Sequence, residues 1–398
     1  MRLLQHKLDV SDKSRSNLFN WRAQFTPQFV DYILDSFSKA GYVVIDPFAG
    51  SGTVLQECAA KGMSCYGFEI NPAAYAMSKF FSLANCSEIE RLQLISPLEE
   101  KIKRLTESFQ DLPLITPSED FRESYKNLLD FTGLLFSEIT EKRERILALN
   151  TLFVAESRQR NGLANTIMNS FEHIKQSTLG LPYTDCEITS HLGDARTIHR
   201  FCHTKADLIL TSPPYINVFN YHQNHRAILE KLGWNLLKVA VSEFGSNRKN
   251  RGNRFKTVVQ YCLDISSALD SFWHALKPNG LLVLVIGRES NVRRVPFHNS
   301  LIAKDLLRFS GGFGSVTNYE RSFINRYGIK IKEDIIVTKK SLSTPIWAKA
   351  KDVAKTHLTA AIHRSPTEVH SEIKEAIESI QSIEESPLFS IDGVLQNV

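Results

Sequence analysis

A short polar turn with two prolines is the segment of this sequence best suited to chemistry. It reads Thr211-Ser212-Pro213-Pro214-Tyr215 and follows directly on an apolar run with the character of a buried strand. Prolines fix φ and lack a backbone donor, so the carbonyls of Ser212 and Pro213 stay available as acceptors beside the serine hydroxyl. Such acceptors suit the N–H groups of an exocyclic amine, and the ring of Tyr215 offers a face for stacking. We predict that this turn holds a planar ring carrying an exocyclic amine.

A second segment has the composition of a ligand-binding loop. It reads Asp46-Pro47-Phe48-Ala49-Gly50-Ser51-Gly52-Thr53 and joins a predicted strand to a predicted helix. Glycines let the backbone approach a ligand closely, and the N–H groups of the first helical turn point at the same place, so we expect a nucleotide-like ligand. The loop lacks the third glycine of a dinucleotide-binding GxGxxG pattern and the Gly-Lys-Ser/Thr of a Walker loop. Glu69, which closes the next predicted strand, is placed to accept two ribose hydroxyls.

The composition favours a globular protein with a polyanionic partner. The 398 residues are 42% hydrophobic, enough for one large α/β domain with an insertion or for two modest domains. The formal charge is +5, but residues 341–398 hold five basic and eight acidic residues, so the remainder carries +8. This balance favours nucleic acid as a partner. The six cysteines have no paired metal spacing, and we find no leader or membrane segment, which is typical of a cytoplasmic protein.

Hydrophobic periodicity predicts two blocks of strands and helices separated by a helical segment. The first block has strands at 42–45 and 65–69 and helices at 53–60 and 73–83, and the second has strands at 187–192, 206–210, 281–286, 315–319 and 329–337. Residues 88–178 have helical periodicity, with a capping-box start at Ser96-Pro97-Leu98-Glu99. A later helix, capped by Ser365, carries an apolar stripe that we expect to dock on its own domain. The stripe consists of Val369, Ile373, Ala376, Ile380 and Ile383.

Together, the proline turn and the glycine loop resemble the amino-methyltransferases of DNA, which use S-adenosylmethionine to methylate cytosine N4 or adenine N6. The resemblance covers about residues 17–85 and 187–338. It implies an α/β fold with the doubly wound, mostly parallel seven-stranded sheet of class I methyltransferases, ending in an antiparallel hairpin. A helical insertion and a helical C-terminal tail would be added to it. The implied division is an N-terminal half at 1–87, the insertion at 88–185, a C-terminal half at 186–340 and an extension at 341–398.

The resemblance also assigns the parts of a cofactor site. The loop from Asp46 to Thr53 would hold the methionine portion of the cofactor, while Glu69 would take the ribose. Asp194 would meet the adenine amino group, and a segment around Phe25 would pack over the methionine end. The residues implied to bind S-adenosylmethionine are Phe25, Thr26, Pro27, Asp46, Pro47, Phe48, Ala49, Gly50, Ser51, Gly52, Thr53, Glu69, Asn71, Asp194 and Ala195. No metal is expected, because a sulfonium-bound methyl group needs no activation.

The sequence leaves several substrates open. Methylation of cytosine C5 needs a thiolate that those enzymes place in a Pro-Cys pair, and no cysteine here follows a proline. Within the family, a leading Ser such as Ser212 goes more often with cytosine N4, and a leading Asp with adenine N6. We therefore expect a site-specific cytosine-N4 enzyme of a restriction-modification or defence system. The alternatives, in order, are adenine N6 of DNA, guanine N2 of RNA, and a non-catalytic nucleic-acid-binding relative.

A basic run after the proline turn is the predicted contact to DNA phosphates. It comprises Arg248, Lys249, Arg251, Arg254 and Lys256, which would add affinity and salt dependence without reading sequence. The insertion, with its polar cluster at 158–161, is the candidate target-recognition region. The expected partners are double-stranded DNA, from which the target base flips out, and a separate restriction endonuclease or defence protein. The sequence predicts no membrane contact and no particular oligomeric state.

Overall fold

A seven-stranded sheet lies at the centre of the part of the protein that the computed structural model describes. The described residues are 3–109, 120–158, 162–201, 204–216, 221–244, 250, 252–324, 328–392 and 394. The strands are β1 Val43–Asp46, β2 Ser64–Glu69, β3 Ile188–Leu192, β4 Ala206–Thr211, β5 Leu276–Gly287, β6 Ser290–Val292, β7 Val295–Phe297, β8 Thr317–Ile324 and β9 Lys330–Lys339. Their order in the sheet is β3-β2-β1-β4-β5-β9-β8, and β6 pairs only with β7.

The pairing pattern of this sheet is that of class I methyltransferases. β1 to β5 pair with one another in parallel, and β9 is antiparallel to both β5 and β8. Val44 and Ile45, adjacent in β1, are both fully buried and belong to separate hydrophobic clusters, so apolar side chains cover both faces of the sheet. The predicted fold class and the predicted terminal hairpin are therefore confirmed.

Helices connect the strands and supply those two hydrophobic clusters. They are α1 Gln5–Asp9, α2 Pro27–Phe37, α3 Thr53–Ala60, α4 Pro72–Phe80, α5 Glu88–Glu107, α6 Asp120–Ser137, α7 Lys142–Arg158, α8 Leu163–Leu179, α9 Arg226–Lys231, α10 Leu236–Ala240, α11 Lys256–Ala275, α12 Asn299–Ser310, α13 Ala350–Ile362 and α14 His370–Glu378. The strands and helices predicted for the first block agree with β1, α3, β2 and α4 to within about three residues.

Turn residues set the connections that follow β1 and β2. Gly52 precedes α3 with φ of 89°, and a Cβ atom there would lie 2.7 Å from the Cα atom of Ser78. Both the left-handed conformation and the close packing therefore require glycine. After β2, Asn71 caps α4 by accepting a hydrogen bond from the Ala73 N–H at 3.0 Å, and Pro72 occupies the first helical position. The turn residues in the sequence thus account for the backbone geometry after β1 and β2.

The helix start predicted at Ser96 is wrong. Helix α5 begins at Glu88 and continues through Pro97. Its capping box uses Ser87 and Glu90: the Ser87 hydroxyl accepts from the Glu90 N–H at 3.3 Å, and the Ser87 N–H donates to the Glu90 carboxylate at 2.7 Å. The helix begins at the earlier position because two reciprocal hydrogen bonds cap it there. The Ser96 hydroxyl instead donates to the Leu92 carbonyl at 3.0 Å.

The tail contains one helix that was not predicted and one whose cap was wrongly assigned. Helix α13 precedes α14, and α14 begins at His370 after a short 3₁₀ turn, Thr367–Val369. The Ser365 hydroxyl donates to the Ile362 carbonyl at 3.2 Å and caps nothing. The predicted apolar stripe is nevertheless buried along its whole length, from Val369 to Ile383, in a cluster with α11 and α13. Docking of the stripe on its own domain is confirmed.

None of the helices that the structure describes is both long and apolar enough to cross a membrane.

Candidate active site

A cleft opens at the point where the strand order reverses, between β1 and β4, and its empty space, including the part open to solvent, is about 900 Å³. Ligands of open α/β sheets bind at such points, beyond the carboxyl ends of the strands. The predicted residues that line this cleft are Phe25, Asp46, Pro47, Phe48, Ala49, Gly50, Ser51, Thr53, Glu69, Asn71, Asp194, Ala195, Ser212 and Pro214. The structure therefore brings the glycine loop, the ends of three strands and the proline turn to one cavity.

Three of the predicted cofactor residues do not line the cleft. Gly52 packs against Ser78 and Phe81 behind the loop. Thr26 immediately precedes α2, and Pro27 is the buried first residue of that helix. These residues shape the neighbouring elements, and their direct contact with a cofactor stays a prediction.

An N-terminal segment covers the glycine loop. The Ser51 hydroxyl donates to the Gln24 side chain at 2.5 Å, and the Asn17 amide donates to the Thr53 hydroxyl at 3.0 Å. A Cβ atom on Gly50 would lie 3.4 Å from the indole ring of Trp21, so this ring rests directly on the loop. Polar bonds and ring packing together hold the segment in place over the loop.

Asp46 joins the glycine loop to the proline turn. One of its carboxylate oxygens accepts from the Thr211 hydroxyl at 2.6 Å and from the Phe48 N–H at 3.2 Å. Burial raises the pKa of Asp46 to about 7, although these two hydrogen bonds act in the opposite direction. Thr211 immediately precedes Ser212, so this contact fixes the distance between the two halves of the site.

Glu69 is held with both carboxylate oxygens oriented by backbone groups. One oxygen accepts from the Gly50 N–H at 3.0 Å and the other from the Asn71 N–H at 2.9 Å. Burial raises the pKa of Glu69 to about 7, and the neighbouring carboxylates of Asp46 and Glu243 push it in the same direction. Each oxygen keeps acceptor capacity, which suits two adjacent hydroxyl groups.

Asp194 lies at the cleft in a buried ion-pair network. Arg196 donates to it through Nε at 2.9 Å and through a terminal nitrogen at 2.6 Å, and the Phe389 N–H of the C-terminal tail donates at 3.0 Å. Arg196 also donates to the carbonyls of Ser386 and Pro387. The structure thus shows the tail as part of the wall beside Asp194, while the contact from Asp194 to adenine stays a prediction.

The residues of the proline turn differ in whether they face the cleft. Ser212 and Pro214 line the cleft, whereas Pro213 is buried and Tyr215 lies behind Ser212. The Tyr215 hydroxyl lies 3.4 Å from the Ser212 hydroxyl and 3.3 Å from a carboxylate oxygen of Glu333. A Cβ atom on Gly287 would come within 2.7 Å of the tyrosine ring, so the end of β5 packs directly against it.

Several residues of the cleft are not among the predicted site residues. Tyr221 stacks on Trp21 with ring centroids 5.9 Å apart, and Phe244 packs edge-on to Phe48 at 5.2 Å. One carboxylate oxygen of Glu243 lies 3.0 Å from Nδ1 of His222, within hydrogen-bond distance. These residues follow the proline turn in irregular segments whose periodicity signals no buried position. Only their nearness to the turn in the chain could have marked them.

Two buried polar atoms at the cleft have no hydrogen-bond partner among the described residues. They are the second carboxylate oxygen of Glu243, an acceptor, and the side-chain nitrogen of Asn71, a donor. Glu243 is 8% exposed and Asn71 is 2% exposed. Buried polar atoms are costly without partners, so such a pair fits a ligand that carries both donors and acceptors.

The predicted phosphate-binding residues are only partly covered by the structure. Arg248, Lys249 and Arg251 lie outside the described residues. Arg254 is half-buried, and the Lys256 ammonium pairs with Glu375 of α14 at 2.7 Å. Residues 159–161 of the polar cluster in the insertion also lie outside the described residues. Arg158, the first residue of that cluster, borders a small cleft beside His225. The DNA-binding role of these residues stays a prediction.

Comparison with known proteins supports the resemblance. Residues 5–80 match a family model described as DNA methylase. Over 67 residues the chain is 36% identical to Type II methyltransferase M.MjaII of Methanocaldococcus jannaschii. The matched segment is 16% of this chain and 13% of that protein. The resemblance to the DNA amino-methyltransferases is confirmed. The matched segment carries the glycine loop, and the predicted cofactor, S-adenosylmethionine, is confirmed with it.

Solved structures similar to this chain are also methyltransferases by name. TrmN from Thermus thermophilus has 15% identity and a TM-score of 0.33, with 80% of this chain and 50% of that chain covered. An S-adenosylmethionine-dependent methyltransferase from Methanosarcina mazei has 12% identity and a TM-score of 0.33, with 78% and 98% covered. These scores are too low to decide the fold, which rests on the strand order. The chain spans only 13% of the length of the curated relative, so its activity is a matter for proposal.

The cleft fits S-adenosylmethionine in charge and in hydrogen-bonding groups. Glu69 offers two oriented oxygens to a ribose, and Asn71 and Glu243 offer an unpartnered donor and acceptor. Asp46 adds a third carboxyl group, which is buried. These groups suit a ligand with a sulfonium and an ammonium group, because buried carboxylates are stabilised by cations.

Proposed function

We propose that this protein transfers a methyl group from S-adenosylmethionine to the exocyclic N4 of cytosine in DNA. The observation that supports it best is that Ser212 lines the same cleft as Glu69 and Asp46, with Thr211 bonded to Asp46 at 2.6 Å. A cofactor held by the first two strands would therefore lie next to an amine held by the turn. Placing two reactants side by side can be worth about 10⁵ M in effective molarity.

The residues of the turn act on the amine. Its nitrogen is a poor nucleophile because its lone pair is delocalised into the ring. The Ser212 hydroxyl and the Pro213 carbonyl accept hydrogen bonds from the N–H groups of the amine. These contacts draw the N–H bonds out of the ring plane, which localises the lone pair on the nitrogen. When bound, the cofactor supplies an electrophilic methyl group on sulfur. The amine nitrogen would take that methyl group, the bonding pair would stay with the leaving sulfur, and one amine proton would pass to solvent water.

The base and its polymer are finer parts of the proposal. Ser212 in the leading position of the turn favours cytosine N4, and adenine N6 is the alternative with the same chemistry. A duplex target would flip out at a cost of a few kcal/mol, offset by contacts in the pocket. Phosphate contacts from the basic run would supply the affinity. A cytoplasmic location and a separate endonuclease or defence partner complete the proposal.

The roles of the remaining segments follow from position. The insertion, 88–185, would read the target sequence, because it brings helices α5 to α8 next to the N-terminal half. The remaining proposed divisions are the cofactor half at 1–87, the catalytic half at 186–340 and the extension at 341–398. A sequence-dependent loss of DNA binding on changing exposed residues of α6 or α7 would support the assignment for the insertion.

Identification of the methylated nucleoside tests this proposal. The protein is incubated with labelled S-adenosylmethionine and either unmodified genomic DNA or total RNA, and the nucleosides are then separated by mass. We expect N4-methylcytosine from DNA. N6-methyladenine would keep the mechanism and overturn the assignment of the base. Methylguanosine from RNA alone would overturn the assignment of DNA, and binding of DNA without any transfer would favour a non-catalytic relative.

A further inference from the structure

A buried carboxylate outside both sequence motifs contacts the proline turn. Glu333 lies on β9, where its carboxylate is 3.3 Å from the Tyr215 hydroxyl, and that hydroxyl is 3.4 Å from the Ser212 hydroxyl. The three groups form a chain from the interior of the hairpin to the cleft. Both contacts are long for O–H···O bonds, as is common in an active site before its substrate binds and tightens it.

Arg321 forms an ion pair with the Glu333 carboxylate. The two residues are directly opposite on β8 and β9, with the guanidinium Nε 2.8 Å from a carboxylate oxygen. The guanidinium also lies 3.9 Å from the centre of the Phe29 ring of α2. Glu333 is 8% exposed and Arg321 is 5% exposed. Buried carboxylates are usually paired with a cation, and Arg321 is the cation that faces Glu333.

The ion pair gives the chain a direction. A carboxylate oxygen beside a guanidinium accepts hydrogen bonds, and the Tyr215 hydroxyl donates to Glu333. The tyrosine oxygen is then left as an acceptor and takes the hydrogen of Ser212. The lone pairs of the Ser212 oxygen consequently face the cleft. A reversed chain would point the serine hydrogen at the amine and repel its N–H groups.

Burial of Tyr215 supports this direction. It raises the pKa of the phenol well above its ordinary value, and the nearby Glu333 carboxylate acts in the same sense. The hydroxyl therefore keeps its proton throughout the physiological range. It remains a donor to Glu333.

We propose that Glu333 is a positioning residue that acts through Tyr215 to make Ser212 a hydrogen-bond acceptor for the target amine. This inference rests on the proposed function, because it assigns a role to Ser212 in methyl transfer. It extends the site from the proline turn to the terminal hairpin, which neither motif includes. It also explains why a glycine lies at position 287, where any side chain would displace the Tyr215 ring.

A double-variant cycle tests the chain. Glu333→Gln and Tyr215→Phe should each lower kcat for DNA methylation roughly tenfold while leaving the cofactor Kd within about twofold. The double variant should be no slower than the slower single variant, because both changes break the same chain. Glu320→Gln is the matched control: it removes the same charge from the same hairpin, but its side chain is 64% exposed and pairs with Arg288. Its kcat should equal that of the unchanged protein.

The outcomes separate this inference from the proposed function. Absence of methyl transfer by the unchanged protein would contradict both. Transfer with a normal kcat for Glu333→Gln, or with losses that multiply in the double variant, would contradict the inference alone. If Glu333→Gln fails to fold, the pair Arg321→Met with Glu333→Gln removes both charges and keeps an apolar side chain on Phe29. That pair should show the same tenfold loss in kcat, and a normal kcat would overturn the inference.

Discussion

At the scale of single residues, the site is a group of buried carboxyls whose charge depends on the ligand. Burial raises the pKa of Asp46 and of Glu69 to about 7, so both are partly protonated in the cofactor-free protein at neutral pH. Glu243 lies close enough to raise the pKa of Glu69 further. A cationic ligand stabilises the ionised forms of these groups, and its binding therefore releases protons.

This linkage predicts how cofactor affinity depends on pH. Because the raised pKa values fall when the cationic cofactor binds, affinity should increase as the pH rises through about 7 and should level off above it. Titration calorimetry should show binding of S-adenosylmethionine roughly tenfold tighter at about pH 8 than at about pH 6. S-adenosylhomocysteine lacks the sulfonium charge and serves as the control, with a shallower dependence. Affinity that falls with pH would refute the charge assignment.

Local chemistry is the part of the site that the sequence predicted well. The glycine loop, Glu69 and Asn71 follow directly from strand ends and turn residues, and the structure places all of them at the cleft except Gly52, which packs behind the loop. Glu333 could not be predicted in this way, because it contacts a residue 118 positions away in the chain. The cap predicted at Ser96 was wrong for a different reason. Its sequence pattern is local, but the stronger capping box at Ser87 and Glu90 starts the helix earlier in the chain.

At the scale of elements, the cofactor side depends on close packing of the glycine loop against α4. Gly52 has φ of 89° and no room for a Cβ atom, since Ser78 Cα would lie 2.7 Å away. Gly62 has a similar φ of 62°, but a Cβ atom added there would meet nothing within 4 Å. The two glycines therefore share the conformational requirement and differ only in packing.

Alanine substitutions at these two glycines separate packing from conformation. Gly62→Ala should cost about 1–2 kcal/mol of unfolding free energy and leave cofactor affinity unchanged. Gly52→Ala should cost more and should weaken cofactor binding at least about tenfold, because the loop and α4 must move apart. Urea unfolding and calorimetry measure both effects. Equal cofactor affinity in the two variants would show that the packing of Gly52 is not needed for binding.

The C-terminal tail is joined to the catalytic sheet by Arg196. The buried guanidinium bonds to Asp194, faces Asp264 at 3.5 Å, and donates to two tail carbonyls. The Ser386 N–H and hydroxyl both donate to Asp264 at 2.7 Å. This network joins residues nearly 200 positions apart. Sequence periodicity could therefore predict the docking of α14, but not the link that the segment after α14 makes to the cofactor site.

Removing the guanidinium should destabilise both the tail and the site. Arg196→Ala leaves Asp194 and Asp264 buried without their cation, which should cost about 3–5 kcal/mol of unfolding free energy. Arg200→Ala, an exposed arginine of the same short 3₁₀ segment, is the control and should cost less than about 0.5 kcal/mol. Urea unfolding followed by fluorescence measures both. Equal unfolding free energies for the two variants would contradict the role given to Arg196.

At the scale of the whole molecule, the active site is assembled from segments that are distant in the chain. β1 and β2 bring the cofactor residues, β4 brings the proline turn, and β9 places a carboxylate behind it. The reversal of strand order between β1 and β4 creates the cleft between them. The fold could be predicted because the two motifs resemble a known family, and that resemblance implies the strand order. Contacts across the sheet depend on tertiary packing and could not be predicted.

The central claim is that one cleft holds the cofactor on the side of β1 and β2 and the target amine on the proline turn of β4. The most direct test measures cofactor Kd and single-turnover methyl transfer for Ser212→Ala and Glu69→Ala side by side. Ser212→Ala should slow transfer at least about 100-fold with an unchanged Kd, and Glu69→Ala should weaken cofactor binding at least about tenfold. Equal loss of cofactor binding in both variants would contradict the division of roles between the strands.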